Sequence, residues 1–223
     1  MMLGAGFEQR KSDVEAHFRC LEFITGIESH KGIPIGNPTR DHHLLVDQQI
    51  QCCMKAQTLI ILYNMVESTI CDCLYYIYDS VADDELTYAE LTDEMRNMWT
   101  VSCKRGSRIE AGFCETDKMP LKVVFTTLSI NTSGNIDIRK IYDIFDKHGC
   151  VLSEENREEC GNSFLTVKNK RNQLAHGNIS FSQCGSNYLY SDLEKMKCDI
   201  SCFLEMVIDS TNKFVEDKKY KRL

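Results

Sequence analysis

Leu59-Ile60-Ile61-Leu62-Tyr63-Asn64-Met65-Val66-Glu67-Ser68-Thr69-Ile70-Cys71-Asp72-Cys73-Leu74 carries the strongest periodic signal in the chain. Leu59, Leu62, Tyr63, Val66, Ile70, Cys73, Leu74 and Ile77 recur at steps of three and four. That spacing places them on one buried helical face. The pattern extends outward from about Asp41 to Ser80 and predicts one very long helix. A helix of that length needs further helices to cover its apolar side, so the expected class is all-α.

Other segments agree. Residues 8–26 predict a first helix, with Val14, Phe18, Leu21 and Phe23 as apolar contacts. Gly32 to Arg40, with two prolines and two glycines, reads as a loop. Leu91 to Trp99 is amphipathic, and Lys104 to Gly112 reads as a loop. Val123 to Leu128 suits either a short strand or a buried helical turn. Asn131 to Asn135 is a turn, followed by a helix over Ile136 to His148 with Ile138, Ile141, Ile144 and Phe145 inward. Gly149 stops it. Ser153 is an expected N-cap for a helix that begins at Glu154 and closes at Gly177. Ser191-Asp192-Leu193-Glu194 has the capping-box pattern for the last long helix, with Leu193, Met196, Ile200, Phe203, Leu204, Val207 and Phe214 on its apolar side. The expected architecture is a helical bundle with at most a minor short strand. Residues 1–40 form an N-terminal helix and loop, and 41–223 the main domain, in one compact body.

Composition narrows the function classes. Of 223 residues, 43% are hydrophobic, enough to bury a core. No apolar run is long enough to span a bilayer, so no membrane role is expected. Met1 to Glu15 is mixed and charged, unlike a secretory signal, and the expected location is cytoplasmic. Twelve cysteines occur, none spaced C-x-x-C. Those in helical patterns (Cys71, Cys73, Cys198, Cys202) read as small hydrophobes in a reducing cytosol. Cys198 with Cys202, His148 with Cys150, and His42-His43 have the elements of metal ligation, but no metal or other cofactor is expected. The net charge of −7 disfavours broad polyanion binding, so contact with nucleic acid requires a local basic patch. Lys168, Lys170 and Arg171 form one. Lys218-Lys219-Tyr220-Lys221-Arg222 forms another, although such a tail is ordinarily a solvated terminus.

Two charges fall on faces that should be apolar. In Lys168-Asn169-Lys170-Arg171-Asn172-Gln173-Leu174-Ala175-His176-Gly177, helical phase sets Arg171 among Phe164, Val167, Leu174 and Ala175. A guanidinium on that seam is costly unless it meets a carboxylate, a phosphate or a wet interface. Glu67 lies within the apolar arc of the long helix, so an ion pair between Glu67 and Arg171 is the simplest expectation. Such a pair serves packing alone in many proteins. Asn172 and His176 share the adjacent polar side with Lys168. A histidine at a helix end is ordinarily only a cap. One turn beyond a misplaced arginine, it suits phosphate chemistry: arginine holds charge and imidazole moves a proton.

Arg171-Asn172-Gln173-Leu174-Ala175-His176 is an R-x4-H motif with a polar residue after the arginine, and it resembles the signature of the HEPN superfamily. The run continuing through Gly177-Asn178-Ile179-Ser180-Phe181 is similar to a prokaryotic HEPN nuclease branch linked to toxin and phage-defence systems. Tyr63-Asn64-x-x-Glu67 and Gly134-Asn135-Ile136, leading into Ile141 and Gly149, are similar to that branch too. The likeness covers roughly residues 45–215. It implies an all-α bundle that dimerises, so that two motifs face each other across a composite RNase site. It also implies metal-independent attack by the ribose 2′-hydroxyl, leaving a cyclic phosphate. Arg171 and His176 match the catalytic pair, Asn172 the polar follower and Glu67 the upstream acid. Lys168, Lys170 and Asn64 are the expected substrate-binding residues. Expected partners are RNA, a second copy of the chain, and an antitoxin or defence-system protein. A subgroup controlled by a nucleotidyltransferase antitoxin carries a tyrosine two residues past the histidine. Asn178 stands there, which argues against that control. The competing reading is a catalytically silent HEPN module that binds RNA, a nucleotide or a partner protein.

Overall fold

A computed structural model describes residues 3–26, 34–35, 44–106, 122–125, 134–155 and 157–222. Among them are seven α-helices: α1 Ala5–Thr25, α2 Gln48–Asp83, α3 Asp93–Gly106, α4 Ile138–Lys147, α5 Arg157–Ala175, α6 Phe181–Gly185 and α7 Tyr190–Glu216. The only strands among the described residues are two of two residues each, β1 Pro34–Ile35 and β2 Leu44–Leu45, paired antiparallel. The fold is all-α, and its minor strand pair lies away from 123–128. Val123 is held by its N–H, which donates to Leu86 O at 2.7 Å, and Lys122 makes a single bridge with Thr87. Residues 123–125 are therefore neither strand nor helix, and 126–128 lie outside the described residues.

The periodic face of α2 is buried at every predicted position from Leu59 to Ile77. The helix starts at Gln48 rather than Asp41: Asp47 caps it, its carboxylate accepting the Ile50 N–H at 2.8 Å. His42-His43 and most of 32–40, 107–112 and 131–133 fall outside the described residues.

The chain divides into two compact units. One comprises Phe7–Val66 with Glu158–Ser201, the other Met1–Gly6, Glu67–Arg157 and Cys202–Leu223. In the first, Val14, Phe18 and Leu21 of α1 are buried as expected, joined by Phe7 and Ile24. Phe23 instead points outward, 60% exposed, because the buried stripe 7, 14, 18, 21 leaves position 23 on the opposite side. Phe18 meets Tyr190 edge-on, and Lys197 lies over the Phe18 ring while pairing with Glu15 at 3.0 Å. A lysine beside a ring and a carboxylate keeps its charge satisfied at 14% exposure.

In the second unit, α4 buries Ile138, Ile141, Ile144 and Phe145, and Gly149 follows at φ 74°. Asp137 caps it by accepting the Lys140 N–H at 3.0 Å. α5 begins at Arg157 and not at Glu154. The Tyr142 hydroxyl donates to the Ser153 carbonyl, tying that residue to α4, while the Ser153 hydroxyl accepts the Glu155 N–H. The basic tail is docked rather than fraying. Tyr220 is buried, its hydroxyl donating to Asp84 at 2.9 Å, and the backbones of Thr92 and Arg222 bond to Tyr220 and Glu90. Lys218 pairs with Asp84 at 2.8 Å, so the basic residues here are partly engaged.

His148 has no ligating nitrogen to spare. Its Nδ1 lies 2.7 Å from the Ile144 carbonyl, which can only accept, so Nδ1 carries the proton. Nε2 then accepts from the Tyr78 hydroxyl at 2.7 Å. Burial holds His148 neutral and pushes its pKa from 6.5 down to about 4. The unfolded chain therefore binds more protons between those values. Stability should fall as pH drops below 6.5, with the loss complete below about 4 and worth roughly 3 kcal/mol. Urea unfolding at pH 7 and pH 4.5 checks this: a His148→Asn variant is expected to lose less stability over the interval than the unaltered protein. Equal losses would remove His148 as the cause.

Cys73, Cys150, Cys160 and Cys184 are buried thiols, and burial pushes Cys150 up to about 12. Cys198 and Cys202, expected among the apolar positions of α7, are exposed. They lie off the buried stripe Leu193, Ile200, Phe203, Leu204, Val207 and Phe214, while Met196 is half-buried. α7 starts at Tyr190, one residue before the expected cap. Asp192 makes the closure, accepting the Leu189 N–H at 2.8 Å, so Ser191 is already inside the helix.

Candidate functional site

α5 delivers the motif. Phe164, Val167 and Leu174 face the core, and Ala175, placed with them by ideal phase, is exposed at the helix's last position. The Asn178 N–H bonds to Gln173 O at 2.9 Å and the Gly177 N–H to Leu174 O at 3.1 Å. This pair of bonds is a Schellman closure, which needs a left-handed residue at Gly177, and its φ is 68°. His176 is thereby fixed as the residue between helix and turn, with its side chain exposed.

Arg171 is half-buried on the seam. Its guanidinium lies over the Tyr63 ring, 4.7 Å from the centroid, and Nη1 donates to Asn172 Oδ1 at 3.1 Å. An aromatic face offers partial negative charge to a cation without a carboxylate's desolvation cost. Asn172 is turned toward its neighbour Arg171, rather than simply stacked beneath His176.

Asn64, the next residue on α2 after Tyr63, is exposed. Lys168 and Lys170 are half-buried, and the Lys170 ammonium donates to Gln173 Oε1 at 3.2 Å. Glu67 belongs to the other unit, where its Oε1 accepts the Gly134 N–H at 3.1 Å, Gly134 itself having φ 74°. Two segments singled out in the sequence, Glu67 and Gly134-Asn135-Ile136, are thus joined by a hydrogen bond.

Sequence reasoning placed Tyr63 on the buried face and in the family-like run, without linking it to Arg171. The signal available was its place at the head of Tyr63-Asn64-x-x-Glu67. The loop after the motif, with Cys184 and Tyr188, contains the short helix α6, capped reciprocally by Ser180 and Gln183. Tyr188 lines a surface hollow of about 350 Å³ with Asn162, Ser163, Thr166 and Lys195. Those α5 residues precede His176 by ten positions or more, roughly 15 Å along the helix, so Tyr188 does not border the imidazole through them. In the hollow, the Ser163 hydroxyl donates to Asp199 at 2.6 Å and Lys195 pairs with the same oxygen at 2.9 Å.

Among the described residues, no group of three or more His, Cys, Asp or Glu side chains has a metal-holding arrangement. No helix among them is long and apolar enough to cross a membrane.

A family model for HEPN_MAE_28990-like HEPN matches residues 7–220. No curated protein and no solved structure matches the chain. HEPN domains are generally related to nuclease activity or RNA binding. With an all-α fold and a match that covers nearly its whole length, the chain belongs to the HEPN_MAE_28990-like HEPN family.

Proposed function

We propose that this protein is a metal-independent endoribonuclease, acting as a homodimer in which two copies of Arg171 and His176 form one composite site. The observation that carries the reading is the motif's presentation. Arg171 is held on an aromatic face with a hydrogen-bond tie to Asn172, and His176 is exposed where a Schellman turn ends the helix. One imidazole takes the proton of the ribose 2′-hydroxyl as its oxygen bonds to phosphorus. The bond from phosphorus to the 5′-oxygen breaks, that oxygen receives a proton from the second imidazole, and a 2′,3′-cyclic phosphate remains. Arg171 neutralises the non-bridging oxygens as charge develops. Lys168, Lys170 and Asn64 are assigned to substrate binding. Glu67 enters through the family pattern, and Glu67→Gln is expected to lower cleavage without unfolding the protein. A toxin or phage-defence role in the cytoplasm, with a neutralising or activating partner protein, belongs to the same proposal.

The test is incubation of purified protein with single-stranded RNA in EDTA. Cleavage leaving cyclic phosphate ends is expected, together with a dimer by native mass spectrometry. Absence of cleavage, with retained RNA or partner binding through the α5 surface, would favour the silent-module reading. Loss of expression toxicity in His176→Ala would bear on the toxin role separately.

A further inference from the structure

We propose that the hollow between α5 and α7 is a base subsite for the RNA strand. It takes one unpaired nucleobase that carries an exocyclic amino group, about two or three nucleotides from the bond cut at His176. The proposal deepens the nuclease reading and rests on it for the position of the base, though not for occupancy of the hollow by RNA. The residues that line the hollow all fall within Glu158–Ser201, in one compact unit. Its volume of about 350 Å³ lies near the lower end of the ~300–1,000 Å³ typical of small-ligand sites, which suits a single base rather than a length of strand.

The floor of the hollow is fixed. Ser163 is 7% exposed and donates to Asp199 at 2.6 Å, and the Lys195 ammonium bonds the same carboxylate oxygen at 2.9 Å. That cation is committed to Asp199, while Glu159 and Asp192 bring two further carboxylates to the wall. Acids outnumber bases here, so a phosphate is repelled and a neutral group with N–H donors is favoured. Adenine, cytosine and guanine each offer an amino group to such an acceptor, and uracil offers none. Asn162, exposed at the rim, supplies an amide for a base edge, and Tyr188 a ring for stacking. Burial first, and the neighbouring Cys184 thiol second, hold the Tyr188 hydroxyl above its usual pKa, so it remains a donor at neutral pH.

Placement along the strand follows from α5. Thr166 lines the hollow, and Lys170 and Gln173 continue its stripe at steps of four and three toward the turn at Gly177. Ten residues separate Thr166 from His176, roughly 15 Å along the axis, which an unstacked strand covers in about two or three nucleotides. Lys170 stands between them, its ammonium 3.2 Å from Gln173 Oε1, where its charge meets the connecting phosphates. The base thus enters an acid-lined hollow while the backbone passes a cation.

The test uses full-length His176→Ala protein, expected to bind RNA without cutting it, with the Met196 methyl as reporter because Met196 lines the hollow. Its resonance, assigned through Met196→Leu, is followed during titration with oligouridine and with the same oligomer carrying one adenosine, moved position by position. The adenosine oligomers should shift the resonance and bind about 5- to 20-fold more tightly than oligouridine. Asn162→Ala and, separately, Glu159→Ala, both at exposed positions, should diminish the shift and the preference. In the unaltered protein, the cut should fall two or three nucleotides from the adenosine.

RNA binding with an unmoved Met196 resonance overturns the subsite and leaves the nuclease reading standing. Equal affinity for oligouridine does the same, and a cut whose position ignores the adenosine overturns the placement. A shift with free adenosine that RNA does not produce would give the hollow to a small ligand instead, against the proposal. A shift with RNA that the unaltered protein never cleaves supports the subsite while the nuclease reading fails. Failure to bind RNA at all sinks both.

Discussion

Replacing His176 by alanine is expected to lower RNA cleavage by about 10²- to 10⁴-fold, the range over which a positioned general acid or base contributes. Stability should change little. The side chain is exposed, and the turn that holds it is built from backbone bonds of Gly177 and Asn178 that alanine leaves intact. The change therefore isolates chemistry from folding. Arg171→Ala is less clean, because it also removes the group lying over Tyr63 and leaves Asn172 without that donor. Single-turnover cleavage in EDTA, with thermal melts on the same samples, provides the measurement. Retained cleavage in both His176→Ala and Arg171→Ala would sink the site assignment.

Gly185→Ala is expected to be the most damaging single-methyl change in the described structure. A Cβ at residue 185 would lie 1.8 Å from the Cys52 carbonyl oxygen and 2.6 Å from its carbon. Both sides of the clash are backbone, α6 against α2, so no side chain can swing away. A loss of about 3 kcal/mol or more is expected, at the top of the usual range for overpacking. For a chain of this size that lowers Tm by roughly 6–12 °C. Gly177→Ala makes the comparison informative, because no neighbouring atom lies within 4 Å of its Cβ position. Its cost arises only from the left-handed backbone and should be about 1 kcal/mol. Similar melting shifts for the two variants would show that the α6–α2 contact is looser than its geometry indicates.

Where sequence reading succeeded, local periodicity was strong enough to decide. The buried faces of α2 and α4 follow from steps of three and four, and Gly149 and Gly177 end helices where a left-handed residue is needed. R-x4-H identified the helix end that presents His176. Where the reading failed, distant groups decided. The Tyr142 hydroxyl bonds the Ser153 carbonyl ahead of α5, which starts at Arg157, and Asp84 with residues 90–92 holds a tail whose composition suggests solvent. α6 was missed although Ser180 and Gln183 have capping-box spacing, because five residues are too few to show a helical period. The Tyr63 ring that lies over Arg171 went unread because an aromatic residue on a neighbouring helix leaves no charge pattern in the sequence.

The division of the chain has a consequence for biosynthesis. Neither unit is a continuous stretch of sequence: Phe7–Val66 is completed by Glu158–Ser201, and Glu67–Arg157 by Cys202–Leu223. A nascent chain that ends before α7 lacks part of both. Folding must then wait for contacts between residues more than a hundred positions apart, such as Lys218 and Tyr220 with Asp84. For a ribosome-bound chain, the helix that presents Arg171 and His176 is made before either unit has its last piece. Both units thus wait on α7 for completion.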